Sequence, residues 1–173
     1  MEISLLSKDS LKIKGKHSVF AVDPSKLSGD KGLYSAAIAL NRLASEFAIQ
    51  SDTVVIDSPG EYEAGGIKMN ATRGDAGIIF NPIVDGVEII LGRLSTFEKM
   101  QSKLKEQHIV VVYVDSVMNA SFITSLASNV IIFYGGAVGE MVQSLGQAPA
   151  KHVSKYAITL DKLPQEVETI ILE

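Results

Sequence analysis

The sequence predicts an α/β fold in which two mixed β-sheets pack against each other and are covered by helices. Three observations lead there. Short, closely spaced strands fill the chain up to residue 92, with hairpin signals between them; helices then alternate with strands; and the run IVVVYVD (109–115) is apolar on both faces, as a buried strand is. The antiparallel character of the first half disfavours a plain doubly wound sheet.

Taken in order, EISLL (2–6), LKIKG (11–15) and SVFAVD (18–23) read as strands, the second alternating apolar with charged residues like a half-exposed one. After the loop PSKLSGDKG (24–32), Leu33, Ala37, Leu40, Ala44 and Phe47 recur at three- and four-residue spacing and predict an amphipathic helix over 33–48. Strands resume at TVVID (53–57), GIKMNA (66–71), GIIFNPIV (77–84) and VEIILG (87–92), the last two joined by Asp85-Gly86, a two-residue hairpin signal. Ser95 and Glu98 have the spacing of a capping box for a helix over 95–107, with Phe97, Met100 and Leu104 as its apolar stripe. A short helix near 119–127, the strand NVIIFYG (129–135), and a helix carrying Val138, Met141, Val142 and Leu145 and stopping at Gly146 follow. A polar loop (147–154) then leads to strands YAITL (156–160) and VETIIL (167–172). The expected core contains Val19, Val22, Val55, Ile56, Ile89, Ile90, Val111, Val112, Ile131 and Ile132.

No repeat or linker divides the 173 residues, so one domain over 1–173 is expected, large enough for a full core without staples. A net charge of −4 disfavours nucleic acid or an anionic membrane as partner, since both require clustered positive charge. The absence of cysteine removes thiolate chemistry. The opening residues MEISLLSKDS do not form a secretory signal, and the longest apolar runs are strand-sized, so a cytoplasmic protein is expected.

The stretch DSPGEYEAGGI (57–67) places Asp57, Glu61, Tyr62 and Glu63 around a Pro-Gly pair. Paired carboxylates can act as general acid and base. The competing structural reading sets Pro59-Gly60 at the centre of a type II turn, with Glu61 accepting backbone N–H bonds and Tyr62 wedged between the sheets. Arg93 has three readings: an ion pair with Asp57 or Glu61, an anchor for an anionic ligand, or simple exposure. YGGAVGEM (134–141) matches neither the Walker nor the dinucleotide pattern and reads as a tight strand-to-helix connection. Ser18, Ser58 and Ser116 lie in no Gly-x-Ser-x-Gly elbow, which disfavours a serine hydrolase. The three histidines, His17, His108 and His152, are far apart in sequence and read as surface or loop residues.

The order AVDP (21–24), VVIDSPGEYEAGGIKM (54–69), an Asp-Gly hairpin, VEIILGRL (87–94) and the tail LDKLPQEVETIIL (160–172) resembles metallo-β-lactamase-fold proteins. Within them it is most similar to a small bacterial set of predicted zinc-dependent hydrolases with a Pro-Gly-Glu-Tyr-Glu turn. The resemblance covers nearly the whole chain and implies an αββα sandwich. It also implies where zinc ligands would stand: a His-x-His-x-Asp-His run between the Asp-Pro strand and that turn, a bridging Asp after the strand-end glycine, and a late histidine. Here residues 25–53 contain no histidine, the bridging position is Arg93 in Gly92-Arg93-Leu94, and 131–135 offers Phe133 and Tyr134. A catalytic zinc needs about three protein ligands, and a guanidinium repels a dication.

The expectation is therefore a catalytically degenerate member with no metal, no cofactor and no catalytic residues. Its relic cleft would be marked by Asp57, Glu61, Tyr62, Glu63, Arg93 and Tyr134, and it would act through a protein partner or its own oligomer. Two alternatives stand beside it. One is a hydrolase using Asp23, Asp57, Glu61 and Glu63 around magnesium or manganese. The other is a sensor of small anions anchored on Arg93.

Overall fold

The computed structural model describes residues 1–25, 33–100, 104, 106–116, 128–144 and 150–173. The first hairpin, β1 (Glu2–Ser7) and β2 (Ser10–Lys14), continues into β3 (Val19–Val22). Alternation decides its register: Ile3 pairs with Ile13 and both are fully buried, while Lys14 is exposed. From β3 the sheet turns parallel, through β4 (Ala36–Ile38) to β5 (Val54–Ile56).

An antiparallel meander follows: β6 (Gly60–Ala64), β7 (Ile67–Gly74), β8 (Gly77–Val84) and β9 (Val87–Arg93). The β8–β9 hairpin is closed by Asp85 at φ 52° and Gly86 at φ 81°, the paired positive angles that such a two-residue turn needs. Both Asp85 carboxylate oxygens accept the Lys16 N–H, at 3.0 and 3.1 Å, tying this hairpin to the β2–β3 turn of the other sheet.

The last third supplies α1 (Leu94–Met100), β10 (Gln107–Tyr113), β11 (Ser128–Tyr134), α2 (Val138–Ser144), β12 (Ala150–Val153), β13 (Lys155–Ala157) and β14 (Glu168–Leu172). Among the described residues one sheet runs β13-β1-β2-β3-β4-β5 and the other β12-β14-β11-β10-β9-β8-β7-β6. Both mix parallel and antiparallel pairs, so the expected pair of mixed sheets is present.

One apolar cluster lies between the sheets, joining Ile13, Phe20, Val22 and Ile38 to Phe80, Leu91, Val111 and Ile132. A second, with Ile90, Val112, Ile131 and Phe133, packs under Phe97 of α1 and Met141 of α2. Strands β9–β11 are thus buried on both faces, which is why their sequence lacks alternation.

Several expectations need correction. The helix over 33–48 does not form. Ala36, Ala37 and Ile38 are instead a buried strand hydrogen-bonded between β3 and β5, and Leu33 is 71% exposed. Apolar spacing there coincided with helical period, but tertiary pairing set the conformation. Residues 44–46 form only a single 3-10 turn. Helix α1 begins at Leu94, so Ser95 lies inside it and is no cap. Its side chain and N–H instead bond Asp115, at 2.6 and 3.3 Å. The loop over 147–154 contains β12. Val19 and Val55 are only partly buried, whereas the other expected core residues are buried. The helix near 119–127 and the Gly146 cap lie outside the described residues. No described helix is long and apolar enough to cross a membrane.

Candidate functional site

The parallel strands of both sheets end at one rim. In the larger sheet Arg93, Tyr113 and Tyr134 stand in register at the carboxyl ends of β9, β10 and β11. Strand alternation sets them on the side of Leu91, Val111 and Ile132, facing the smaller sheet. In the smaller sheet Val22, Ile38 and Ile56 are the matching ends of β3, β4 and β5, and Asp23 follows directly. The apolar interlayer therefore gives way at this rim to a polar layer.

Asp23 is its centre. The residue is fully buried and sits at φ 50°, an angle that aspartate tolerates better than most residues. Its carboxylate accepts the N–H groups of Leu40 (2.9 Å), Asn41 (2.9 Å) and Arg42 (3.2 Å) and the side-chain amide of Asn41 (2.8 Å). Burial pushes the Asp23 carboxyl above its ordinary value, against the downward pull of these amides. Asn41 then passes the connection on: its Oδ1 accepts Arg93 Nε–H at 2.7 Å. Because the Asn41 amide nitrogen faces a carboxylate, the orientation of that side chain is fixed, and with it the guanidinium.

The aromatic half of the layer is tied to the first hairpin. Tyr113 donates its hydroxyl to Asp9 Oδ1 at 3.1 Å and meets Tyr134 edge to face, with centroids 5.3 Å apart and planes at 71°. Burial, then the negative charge and hydrogen bond of Asp9, push the Tyr113 phenol up to about 12, opposed by Arg93. Tyr134 is fully buried, and its hydroxyl meets no partner among the described residues. Its phenol is pushed well up by burial, and further by the charge of Asp23. Gly135, at φ 114°, follows directly, and a Cβ there would stand 2.8 Å from the Tyr113 ring, so the turn into α2 is pressed against this layer.

The sequence candidates divide between two places. Arg93 and Tyr134 belong to the rim. Glu61, Tyr62 and Glu63 lie on edge strand β6 and line a separate open groove of about 880 Å³, together with Lys68, Asn70 and Glu88. Gly60 opens β6 at φ 155°, not the roughly +80° of a type II turn. Glu61 is exposed and accepts no backbone N–H among the described residues. Tyr62 is half-buried against the core, and its hydroxyl donates to the Ser58 carbonyl at 2.7 Å. The stretch is thus a strand anchored by its tyrosine, not a carboxylate-capped turn.

Asp57 is exposed past the end of β5 and accepts the Ser58 hydroxyl at 2.9 Å. Strands β5 and β9 do end at the same rim, but no ion pair joins Arg93 to Asp57 or Glu61 within the described residues. Arg93 is directed instead to Asn41. Asn41, Tyr113 and Asp9 are the participants that sequence reasoning missed. Asn41 lay inside the expected helix, and nothing local pairs Asp9 with a residue on β10.

The donor set does not suit a divalent cation. Both Asp23 oxygens are engaged by N–H donors, a guanidinium stands in the layer, and no group of three or more His, Cys, Asp or Glu side chains is placed to hold a metal among the described residues. The histidines are elsewhere: His17 is exposed, His108 Nδ1 accepts the Glu88 N–H at 3.0 Å, and His152 pairs with Glu173 at 2.8 Å.

The sequence matches no protein-family model and no curated protein. Solved structures do match. One is a Thermotoga maritima protein provisionally described as a Zn-dependent hydrolase of the metallo-β-lactamase superfamily. It aligns with a TM-score of 0.75 at 15% identity, over 100% of this chain and 99% of its own. A Parabacteroides distasonis protein, provisionally described as a metal-dependent hydrolase, aligns with a TM-score of 0.58 at 13% identity, over 84% of this chain and 88% of its own. The two mixed sheets, their parallel rim and these alignments together identify the architecture: the chain has the metallo-β-lactamase fold.

Proposed function

We propose that this chain uses the metallo-β-lactamase fold without a metal, as a binding module and not as a hydrolase. The observation that carries the reading is the closed connection Asp23–Asn41–Arg93. A metal-activated nucleophile needs ligands with free lone pairs and an open coordination position. At this rim the buried carboxylate has its oxygens engaged by amides, and the cation in the layer is a guanidinium, which repels a dication. The structural neighbours are described as metal-dependent, so the proposal is that the fold is shared and the metal chemistry is not. A protein partner or a second copy of the chain is the class of target a module without catalysis would serve.

A hydrolase built on Asp23, Asp57, Glu61 and Glu63 is the weaker reading. Asp23 is buried and saturated, while Glu61 and Glu63 line the groove beside β6, whose lining does not include Asp57. Metal analysis decides. Protein purified without chelator or metal-affinity resin is expected to carry far less than one zinc, magnesium or manganese per chain, and its melting temperature to be unmoved by chelator. A stoichiometric metal that survives dialysis and raises the melting temperature refutes the proposal, since an ion bound only to the native state must stabilise it.

A further inference from the structure

We infer that the Arg93 guanidinium is the anchor of a binding site for a small oxyanion, the carboxylate or phosphate group of a ligand. This rests on the metal-free reading, because a dication in the same layer would repel the guanidinium and claim the anion.

Arg93 is oriented but not consumed. Its Nε–H is committed to Asn41 Oδ1 at 2.7 Å, which sets the plane of the guanidinium. Among the described residues its two terminal nitrogens meet no acceptor, and no carboxylate lies within ion-pair distance of them. A partly buried, permanently charged group whose direct partner is a neutral amide is an unusual end-point, since buried charge is ordinarily paired. The two free N–H pairs form a fork that matches two oxygens of a carboxylate or phosphate. Arg93 as a whole is partly exposed to solvent.

The second observation is independent. Tyr134 is fully buried, and its hydroxyl has no partner among the described residues. It stands on the same face two strands from Arg93, about 10 Å between backbones. Its hydroxyl is thus a second unpaired polar group in the same layer, with Tyr113 of β10 standing between it and Arg93. Asp9 and Asp23 are hydrogen-bonded to the Tyr113 hydroxyl and to N–H donors, and neither makes an ion pair with Arg93 among the described residues.

The test follows the backbone amide ¹H–¹⁵N resonances of residues 41 and 93 in the wild type and in each variant, with the Arg93 Nε resonance as an added reporter in the wild type. Inorganic phosphate and acetate are titrated in separate arms at constant ionic strength. A saturable shift is expected, and the arm that saturates at lower concentration identifies the anion class. Arg93→Gln should weaken binding about tenfold or more, and Arg93→Lys, which keeps the charge but loses the fork, about threefold. Tyr134→Phe should weaken it without removing it. Linear, unsaturating shifts in both arms overturn the site, as does unchanged affinity in Arg93→Gln. Should that variant fail to fold, the wild-type titration and Arg93→Lys still decide. A null result in metal-free protein removes this site alone, whereas a rim-bound metal removes the proposed function as well.

Discussion

Asp23 is the residue on which the rim depends, and its replacement has a calculable consequence. In Asp23→Ala the N–H groups of Leu40, Asn41 and Arg42 and the Asn41 amide all lose their acceptor, in a place where Asp23 itself is fully buried. A buried donor left unpaired costs about 1–3 kcal/mol, but the segment relaxes and the losses do not add, so the total should resemble that of breaking a buried charged pair, about 3–5 kcal/mol. Asp23→Asn keeps the shape and one accepting oxygen and should cost about half as much.

Urea denaturation read at constant m-value measures both variants, and hydrogen exchange at residues 40–42 reports where the loss falls. The pH dependence supplies a separate check. Burial raises the carboxyl above its ordinary value. Its contribution is therefore fully present below the ordinary aspartate range and is lost as pH rises through the raised folded value. The difference in stability between wild type and Asp23→Asn should accordingly shrink as pH rises across that window. If Asp23→Ala unfolds within about 0.5 kcal/mol of wild type, the size of an ordinary surface substitution, the network is not what holds the rim and the reasoning fails.

Two further perturbations test the packing around it. Gly65 has φ 57°, and a Cβ there would collide with the side chain of Ser35, where the smaller sheet meets the β6–β7 turn. Gly65→Ala should cost about 1–3 kcal/mol in a denaturant melt, and adding Ser35→Gly should recover the steric part while leaving the backbone strain; no recovery would place the cost elsewhere. Alkaline titration followed by tyrosinate absorbance should show Tyr113 ionising at about 12, removed in Tyr113→Phe and lowered in Asp9→Asn. Since that value is raised, its stabilisation should fade as pH climbs from about 10 towards it; a Tyr113 that titrates like a free phenol would contradict the Asp9 contact.

What the sequence discloses of this protein follows from where its information is local. The meander β7–β9 is legible because its alternation and its Asp-Gly turn each act over a few residues, and β10 and β11 because their unbroken apolar runs leave no solvent face. Strand β4 is hidden for the opposite reason. Three small or apolar residues between two parallel neighbours carry no period of their own, so the chance spacing of Leu33, Ala37 and Leu40 outweighs them. Strand β12 is hidden by its exposed Lys151 and His152. The site divides the same way. Arg93 and Tyr134 stand out as strand-end residues where the resembled fold expects metal ligands, so their position could be read even though their partners could not. Asp23 was visible only as a carboxylate free to bind a cation. Its amide donors at 40–42 exist because β4 pairs with β3, and that pairing was the element the sequence concealed. An error in one strand thus became an error in chemistry: the carboxylate that looked available for a metal is the acceptor that fixes the loop after β4, and the guanidinium expected to pair with Asp57 or Glu61 is held by that loop's asparagine.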